Sequence, residues 1–401
     1  MPGTAPSVSA TPGPVAPAPG TPTPATSIAA PSDSTTSDPG APVPGAPVPG
    51  VPVLAGESGP TEIRLALGPV RLRIPARALA VSVVLVVIGV GLALVTLMSG
   101  KISLSPAEVF AALTGRASGP RAAQVVTTIR LPRALTGAGV GMALGAAGCV
   151  FQSVSRNALG SPDVIGFTTG AATGAVIQIV VFDAGAAATS LAAIGTGLVT
   201  AVIVYVLARS DGATGGYRLI LVGIGVSAFL GALNTLVLAR GDLDLATRAR
   251  IWLSGSLNAR TWADAWPVLG AVVLLVPLLA MQARRLDALE MGEDQARQLG
   301  VDAERTRVVT MLAAVVLTAA AVAAAGPIAF IALAAPQVAA RLTRVPRVQV
   351  LTSALTGAVL LTAADAVSVH LPVGVALPVG LTTGALGGLY LLWLLTRTRE
   401  V

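Results

Sequence analysis

Beyond residue 77 the chain alternates long apolar stretches with short polar ones almost to its end. Low-charge runs occupy Ala78–Met98, Ala134–Phe151, Val164–Phe182, Leu191–Ala208, Leu219–Ala239, Trp266–Met281 and Val308–Ile331, and Val350–Val369 and Val373–Leu395 complete the series. Most approach the ~20 residues that a helix needs to cross the hydrocarbon of a bilayer. With a short run at Ala332–Ala340, the pattern predicts about ten spans. The first part of the chain differs in kind. From Met1 to Ala55 it is mostly Pro, Ala, Thr, Ser and Gly, with the short repeat APVPGAPVPGVPV at Ala41–Val53, and it offers no apolar face that could bury a core. The pattern therefore divides the chain into a disordered, locally polyproline-like tail over residues 1–74 and a transmembrane domain over residues 75–401.

Composition agrees with that division. The 401 residues are 54% hydrophobic and 11% charged, with a mean hydropathy of +0.79, far too apolar for a soluble protein of this length. A net charge of +7 would point to nucleic acid in a soluble chain, but here the arginines lie in the loops between spans, where membrane topology uses them. Cys149, the sole cysteine, sits inside an apolar run, so neither a disulfide framework nor a cysteine metal site is expected. His370, the sole histidine, reads as a polar residue at a helix end. No Lys or Arg precedes Arg64, so the tail lacks the basic region of a signal peptide.

Arg64, Arg71, Arg73 and Arg77 immediately precede the first span and place the tail in the cytoplasm. Alternation then puts residues 152–163, 209–218, 284–307 and 341–347 inside, together with Arg397 and Arg399. Residues 99–133 and 240–264 fall outside, and these too contain arginines. The inside segment LEMGEDQARQLGVDAERTR (Leu289–Arg307) is the most polar island among the spans. Glu290, Glu293 and Asp294 come early in a candidate helix and Arg297 late, while Gly300 reads as a helix stop and Asp302 as the next N-cap. Leu286, Leu289, Ala296 and Leu299 form an apolar stripe with two readings: it enters a groove on a cytoplasmic partner, or it packs on the protein's own spans.

Several strings, in order, resemble the permease subunits of bacterial ABC importers for iron–siderophore complexes, a group that includes the vitamin B12 permease. They are IRLPRALTGAGVGMALGAAGCVFQ (Ile129–Gln152), RNALGSPDVIGFTTGA (Arg156–Ala171), WLSGSLNARTW (Trp252–Trp262) and LEMGEDQARQLGV (Leu289–Val301). AGPIAFIALAAPQVAARL (Ala325–Leu342), the region of Asp365 and LPVGVALPVG (Leu371–Gly380) continue the match. SPDVIGF, LEMGED and GGLYLLWLL (Gly387–Leu395) look most like subunits serving ferric enterobactin. The resemblance implies an all-α polytopic membrane protein of about ten transmembrane helices with the type II ABC importer permease fold. It implies residence in the bacterial cytoplasmic (inner) membrane with both termini cytoplasmic.

The implied partners are a second permease subunit, a dimer of separate ABC ATPase subunits and an extracytoplasmic siderophore-binding protein. The ATPase-docking element would comprise Leu289, Glu290, Met291, Gly292, Glu293, Ala296, Leu299 and Gly300. Arg130 and Arg133 would meet acidic groups of the binding protein, the other reading being interfacial anchoring at the start of a span. The chain departs from the usual pattern with Ala158 in place of Pro, Ala332 in place of Gly and Gln337 in place of His. A vitamin B12 or haem permease is the alternative within this class.

The chain holds no machinery for ATP hydrolysis. Lys101 is its only lysine, and the surrounding residues lack the glycine spacing and following Ser/Thr of a phosphate loop. Gly141 and Gly145 form GxxxG with Gly148 close by, a helix-packing signal rather than a dinucleotide fingerprint. Asp365 is the main ionisable candidate for a proton-coupled carrier, the alternative outside the ABC class, and it lies near the outer end of its span. Gln152, Gln178 and Asn234 read as hydrogen-bonding groups between helices. No cofactor, metal site, catalytic residue or nucleic-acid partner is expected, and no translocation-path residue is identified.

Overall fold

The computed structural model describes residues 62–67, 70–100, 103–116, 119–163, 166–210, 213–214, 216–370 and 377–397. Strands β1 (Glu62–Leu67) and β2 (Val70–Pro75) pair antiparallel, with Glu62 opposite Pro75 and Leu67 opposite Val70. They occupy the last part of the segment expected to be a disordered tail; residues 1–61 of that segment lie outside the described residues.

The bundle follows. Helices α1 (Ala76–Met98), α2 (Pro106–Leu113) and α3 (Pro120–Gln124) lead through a π-helical turn, Val125–Arg130, into α4 (Leu131–Ser155). Next come α5 (Phe167–Val180), α6 (Ala186–Ala208), a two-residue hairpin of β3 (Arg209–Ser210) and β4 (Ala213–Thr214), and α7 (Gly216–Arg240). Helices α8 (Leu243–Leu253), α9 (Trp262–Met281), α10 (Ala283–Glu290) and α11 (Glu293–Gln298) precede α12 (Ala303–Ala325). Helices α13 (Ile331–Thr343), α14 (Val350–His370) and α15 (Val379–Arg397) complete the chain.

Every expected apolar run falls on a helix, but among the described residues seven helices are long and apolar enough to cross a bilayer. Part of the difference from about ten has local causes. Helix α5 has 14 residues and α13 has 13, so each reaches about 20 Å at the helical rise and falls short of a hydrocarbon core of ~30 Å. The run expected over Val308–Ile331 stops at Gly326, where φ is +74°, and the chain re-enters a helix only after Phe330. Pro132 explains the π-helical turn. It has no N–H to give the preceding turn, and the widened turn lets Leu131 N–H bond the carbonyl of Val126 instead.

Helix α4 forms the core, with 83% of its apolar window buried, whereas α1 has 11% and Arg218–Arg240 of α7 has 6%. Its small residues are the reason. A Cβ on Gly141 would stand 2.4 Å from the Gly357 carbonyl oxygen, one on Gly145 2.3 Å from that of Ser353, and one on Gly148 1.7 Å from that of Ala332. Backbone therefore lies on backbone along α14 and the start of α13, the close approach for which small residues are selected between membrane helices.

The bundle gathers two sets of helix ends. At one, Arg77 Nε donates to the carbonyl of Leu342 at 3.3 Å, Tyr205 donates to Glu304, and the Val348 N–H donates to Asp287 at 2.6 Å. At the other, Arg130 donates to the Leu97 carbonyl at 2.6 Å, Trp262 to that of Thr127 at 3.0 Å, and Ser190 to that of Ala323 at 3.2 Å. Residues expected on the same side of the membrane thus meet one another.

Two glycine replacements separate packing from helix propensity. Gly145→Val is expected to lower the melting temperature in detergent strongly, since an overpacked core costs about 1–3 kcal/mol and the obstacle here is backbone. Gly270→Ala in α9, where a Cβ meets nothing within 4 Å, is expected to leave melting unchanged or raise it slightly.

Candidate functional site

The polar island is built on two short helices at the first end. Gly292 starts α11 with φ +116°, and Gly300 ends the turn after it with φ +74°. A Cβ at either position would meet nothing within 4 Å, so conformation and not space requires glycine there. Asp302 caps α12 by accepting from the Arg305 N–H at 3.0 Å, as its position predicts.

Charge fastens the island to the bundle. Arg307, buried in the first turns of α12, donates to Glu293 of α11 and, at 2.7 Å, to Glu304. The Arg307 hydrogen bond holds the Glu293 carboxyl below its usual range. Arg297 adds exposed contacts to Glu293 and Asp294, both at 3.3 Å. On α10, Asp287 accepts the Val348 N–H just before α14. Burial pushes its carboxyl upward, opposed by that hydrogen bond and by Arg347 and Arg284.

The apolar stripe divides. Leu286, Leu289 and Ala296 are buried in the main core, with Leu289 at 4% and Ala296 at 0% exposure. They seat the island on its own spans, so the packing reading holds for them and neither Leu289 nor Ala296 presents a surface to a partner. Met291, 55% exposed, and Leu299, 63% exposed, do present one, with Glu290 and Gly300 also on the surface. Gly292 and Glu293 are half-buried between the two sets. Arg307 was not singled out by the sequence reading; an arginine one turn after Glu304, at the mouth of an apolar run, was the available signal.

At the second end, the widened turn before Pro132 aims Arg130 and Arg133 toward the bundle. Arg130 reaches back to the last turn of α1. Arg133 makes a two-pronged ion pair with Asp365 of α14, Nε to Oδ2 at 3.1 Å and Nη2 to Oδ1 at 2.8 Å, with the aspartate side chain 5% exposed. Both arginines expected to face a binding protein are thus engaged within the chain. Asp365, the main ionisable candidate near the outer end of its span, is the buried partner of that pair.

Two departures from the family pattern find local explanations. Gln337 donates to Gln152 Oε1 at 2.9 Å and to the Ala158 carbonyl at 3.3 Å, joining α13 to the end of α4. Asn157 Oδ1 accepts the Leu159 N–H at 2.9 Å and so makes the turn that a proline at position 158 would otherwise favour. His370 bonds Ser99 at 3.1 Å and the Ala366 carbonyl at 2.7 Å, a helix-end role.

Comparison with known proteins covers most of the chain. The ferric enterobactin transport system permease protein FepG of Escherichia coli is 47% identical over 300 residues, which is 75% of this chain and 90% of that protein. The cobalamin import system permease protein BtuC of Halobacterium salinarum is 38% identical over 285 residues, 70% of this chain and 76% of that protein. Among solved structures, an inward-facing ABC transporter assigned to the metal-chelate type superposes with a TM-score of 0.71 at 26% identity, covering 79% of this chain and 99% of that one. The profile of the FecCD transport family matches residues 83–397, from within α1 to the end of α15. With its helical bundle, the seven helices among the described residues that are long and apolar enough to cross a bilayer, and that match, the chain belongs to the FecCD transport family.

Proposed function

We propose that this chain is a permease subunit of an ATP-driven importer that carries a ferric siderophore, enterobactin-like in chemistry, across the bacterial cytoplasmic membrane. The observation that carries the reading is the 47% identity with a ferric enterobactin permease over 300 residues. Translocation runs through a bundle of about ten membrane helices paired with a second permease subunit. A separate ATPase dimer supplies the energy, and an extracytoplasmic binding protein delivers the chelate. The first end of the bundle, with the island and the basic residues before α1, faces the cytoplasm together with both termini. The second end faces outward.

The island is the coupling element in this reading. Its buried side carries motion into the spans through Leu289, Ala296 and Arg307, while Met291, Leu299 and Gly300 meet the ATPase. The glycine conformations at positions 292 and 300 hold the two short helices in one rigid turn, which is what transmission of a push requires. Arg133 and Asp365 set the spacing of α4 and α14 beneath the outer docking surface, and Arg130 fixes α1 beside them. A proton-coupled carrier fits less well, because Asp365, its main ionisable candidate, is engaged by two hydrogen bonds from the Arg133 guanidinium.

A cobalamin permease is the second reading, supported by the 38% identical relative. Competition separates the two: iron uptake from a tris-catecholate chelate is expected to be untouched by a large excess of cobalamin, and the reverse result would replace the siderophore by the corrinoid. Met291→Glu combined with Leu299→Glu is expected to reduce co-purified ATPase by at least about tenfold, the equivalent of ~1.4 kcal/mol, with normal permease yield; full recovery would remove these side chains from the interface. Gly300→Val, which forces φ +74° on a β-branched residue at a cost of about 1–2 kcal/mol, is expected to uncouple ATP hydrolysis from transport.

The outer ion pair gives a further test. Asp365→Asn alone strands a partly buried guanidinium and is expected to cost about 1–3 kcal/mol, below the range for fully buried pairs because Arg133 retains 26% exposure. The double variant Arg133→Gln, Asp365→Asn is expected to recover most of the melting temperature. Its transport with the binding protein then reads the docking role of Arg133 apart from its structural role.

A further inference from the structure

The string WLSGSLNARTW has no place in either the island or the outer ion pair, yet it lines a cavity of about 450 Å³ at the second end. Trp252, Ser256, Asn258 and Arg260 all line it, joined by Arg248 and Ile251 of α8. The intervening Leu257 turns the other way into the core, at 1% exposure. Short contacts hold the loop in place. The Ser256 N–H bonds the Ala325 carbonyl at 2.8 Å, a Cβ on Gly255 would stand 2.2 Å from the Pro327 carbonyl oxygen, and one on Gly380 2.0 Å from that of Ser254. The cavity wall is thus fixed by the backbone of three segments.

Its chemistry is one-sided. The lining supplies two guanidiniums, a carboxamide and hydroxyls beside an indole and apolar side chains, and none of the described residues that line it is acidic. Each guanidinium has an acid nearby, Asp264 beside Arg260 and Asp183 beside Arg248, but the first contact is long and the second is solvent-exposed. Asp264 Oδ2 accepts from the Thr261 N–H and hydroxyl, both at 2.9 Å, to cap α9, leaving Arg260 a 3.8 Å contact with the other oxygen. Arg260 Nε is buried and has no hydrogen-bond partner among the described residues. Arg248 pairs with Asp183 at 2.9 Å, but both side chains are more than half exposed, and such a pair exchanges readily for another anion.

We propose that this cavity is the first resting site of the incoming chelate, taking one catecholate arm of an anionic ferric tris-catecholate between Arg248 and Arg260 with its ring against Trp252. The proposal rests on the siderophore reading above. Three doubly deprotonated catecholates around one ferric ion leave a trianion, whereas three hydroxamates leave a neutral chelate, so the site distinguishes the two by charge. The cavity lies within the range of small-ligand pockets, ~300–1,000 Å³, which suits one planar arm better than a whole chelate. Guanidiniums match both needs, since they bond anionic oxygens in a fork and stack on aromatic faces.

The test uses the permease in nanodiscs with its native co-purified subunits. Ferric enterobactin and a neutral ferric tris-hydroxamate are titrated while tryptophan fluorescence is followed. The variant Arg248→Gln, Arg260→Gln is expected to weaken tris-catecholate binding at least about tenfold, and the corresponding double lysine variant to restore most of it. Asn258→Asp, isosteric and therefore safe for folding, adds a negative charge to the cavity and is expected to weaken the trianion by a similar factor while leaving the neutral chelate unaffected. Unchanged ferric enterobactin affinity in an assembled glutamine variant or in Asn258→Asp overturns the site and leaves the siderophore reading standing. Loss, in the glutamine variant, of an acidic phospholipid that accompanies the wild type, with no change in chelate affinity, also overturns it and assigns the cavity to a lipid headgroup. Failure of the wild-type assembly to bind or transport any ferric chelate, with cobalamin bound instead, refutes the reading on which the site depends.

Discussion

Helices α4 and α14 touch through their backbones, Gly141 against Gly357 and Gly145 against Ser353, and this contact sets the register of the molecule. Leaving lipid for protein gains an apolar side chain little, so membrane helices associate by close packing and polar contacts. Glycine supplies the first by removing every atom between the two backbones. Arg133 lies eight residues before Gly141 on α4, and Asp365 eight residues after Gly357 on the antiparallel α14. The register that seats the glycines therefore also brings the guanidinium to the carboxylate at 2.8 Å. At the other end of the same contact, Gly148 meets Ala332 and draws α13 into the bundle, where Gln337 bonds Gln152.

The two ends of this seam are engineered differently by charge. Toward the island, Arg307 is buried and bonded by two glutamates, so that α11 and the start of α12 move as one body. At the opposite end, the Asp365 partner of Arg133 is buried, and the loop between α8 and α9 keeps the Arg260 guanidinium loosely matched. A tight network suits a lever, and an under-bonded cluster suits a surface that must accept and release an anion. Peripheral α1 and α7 carry the exposed apolar side chains, among them Val87 and Phe229, a surface that lipid or another subunit covers.

Much of this was legible from residue types alone. Each apolar run became a helix because a backbone in hydrocarbon has no solvent to bond. The N-cap at Asp302, the stop at Gly300 and the packing role of the GxxxG glycines follow from local conformational rules that need no knowledge of neighbours. The order of motifs likewise marked the family, since each motif reports on its own segment.

What the linear pattern left open was which side of each element is covered. Leu289 and Leu299 are both leucines on one short island, yet one is buried and the other is 63% exposed. Arg133 reads equally well as a free outer cation until Asp365, 232 residues away, is brought against it. The hydropathy pattern also ran Val308–Ile331 together as one stretch, because it does not register a break made by positive-φ residues such as Gly326 and Phe330. The sequence by itself determined that this is a helical membrane permease of a known family, because length, hydropathy and backbone self-satisfaction are properties of single segments. Only the tertiary structure decided which arginines are paired, which leucines face out and where a cavity opens, because those depend on the register between helices distant in the chain.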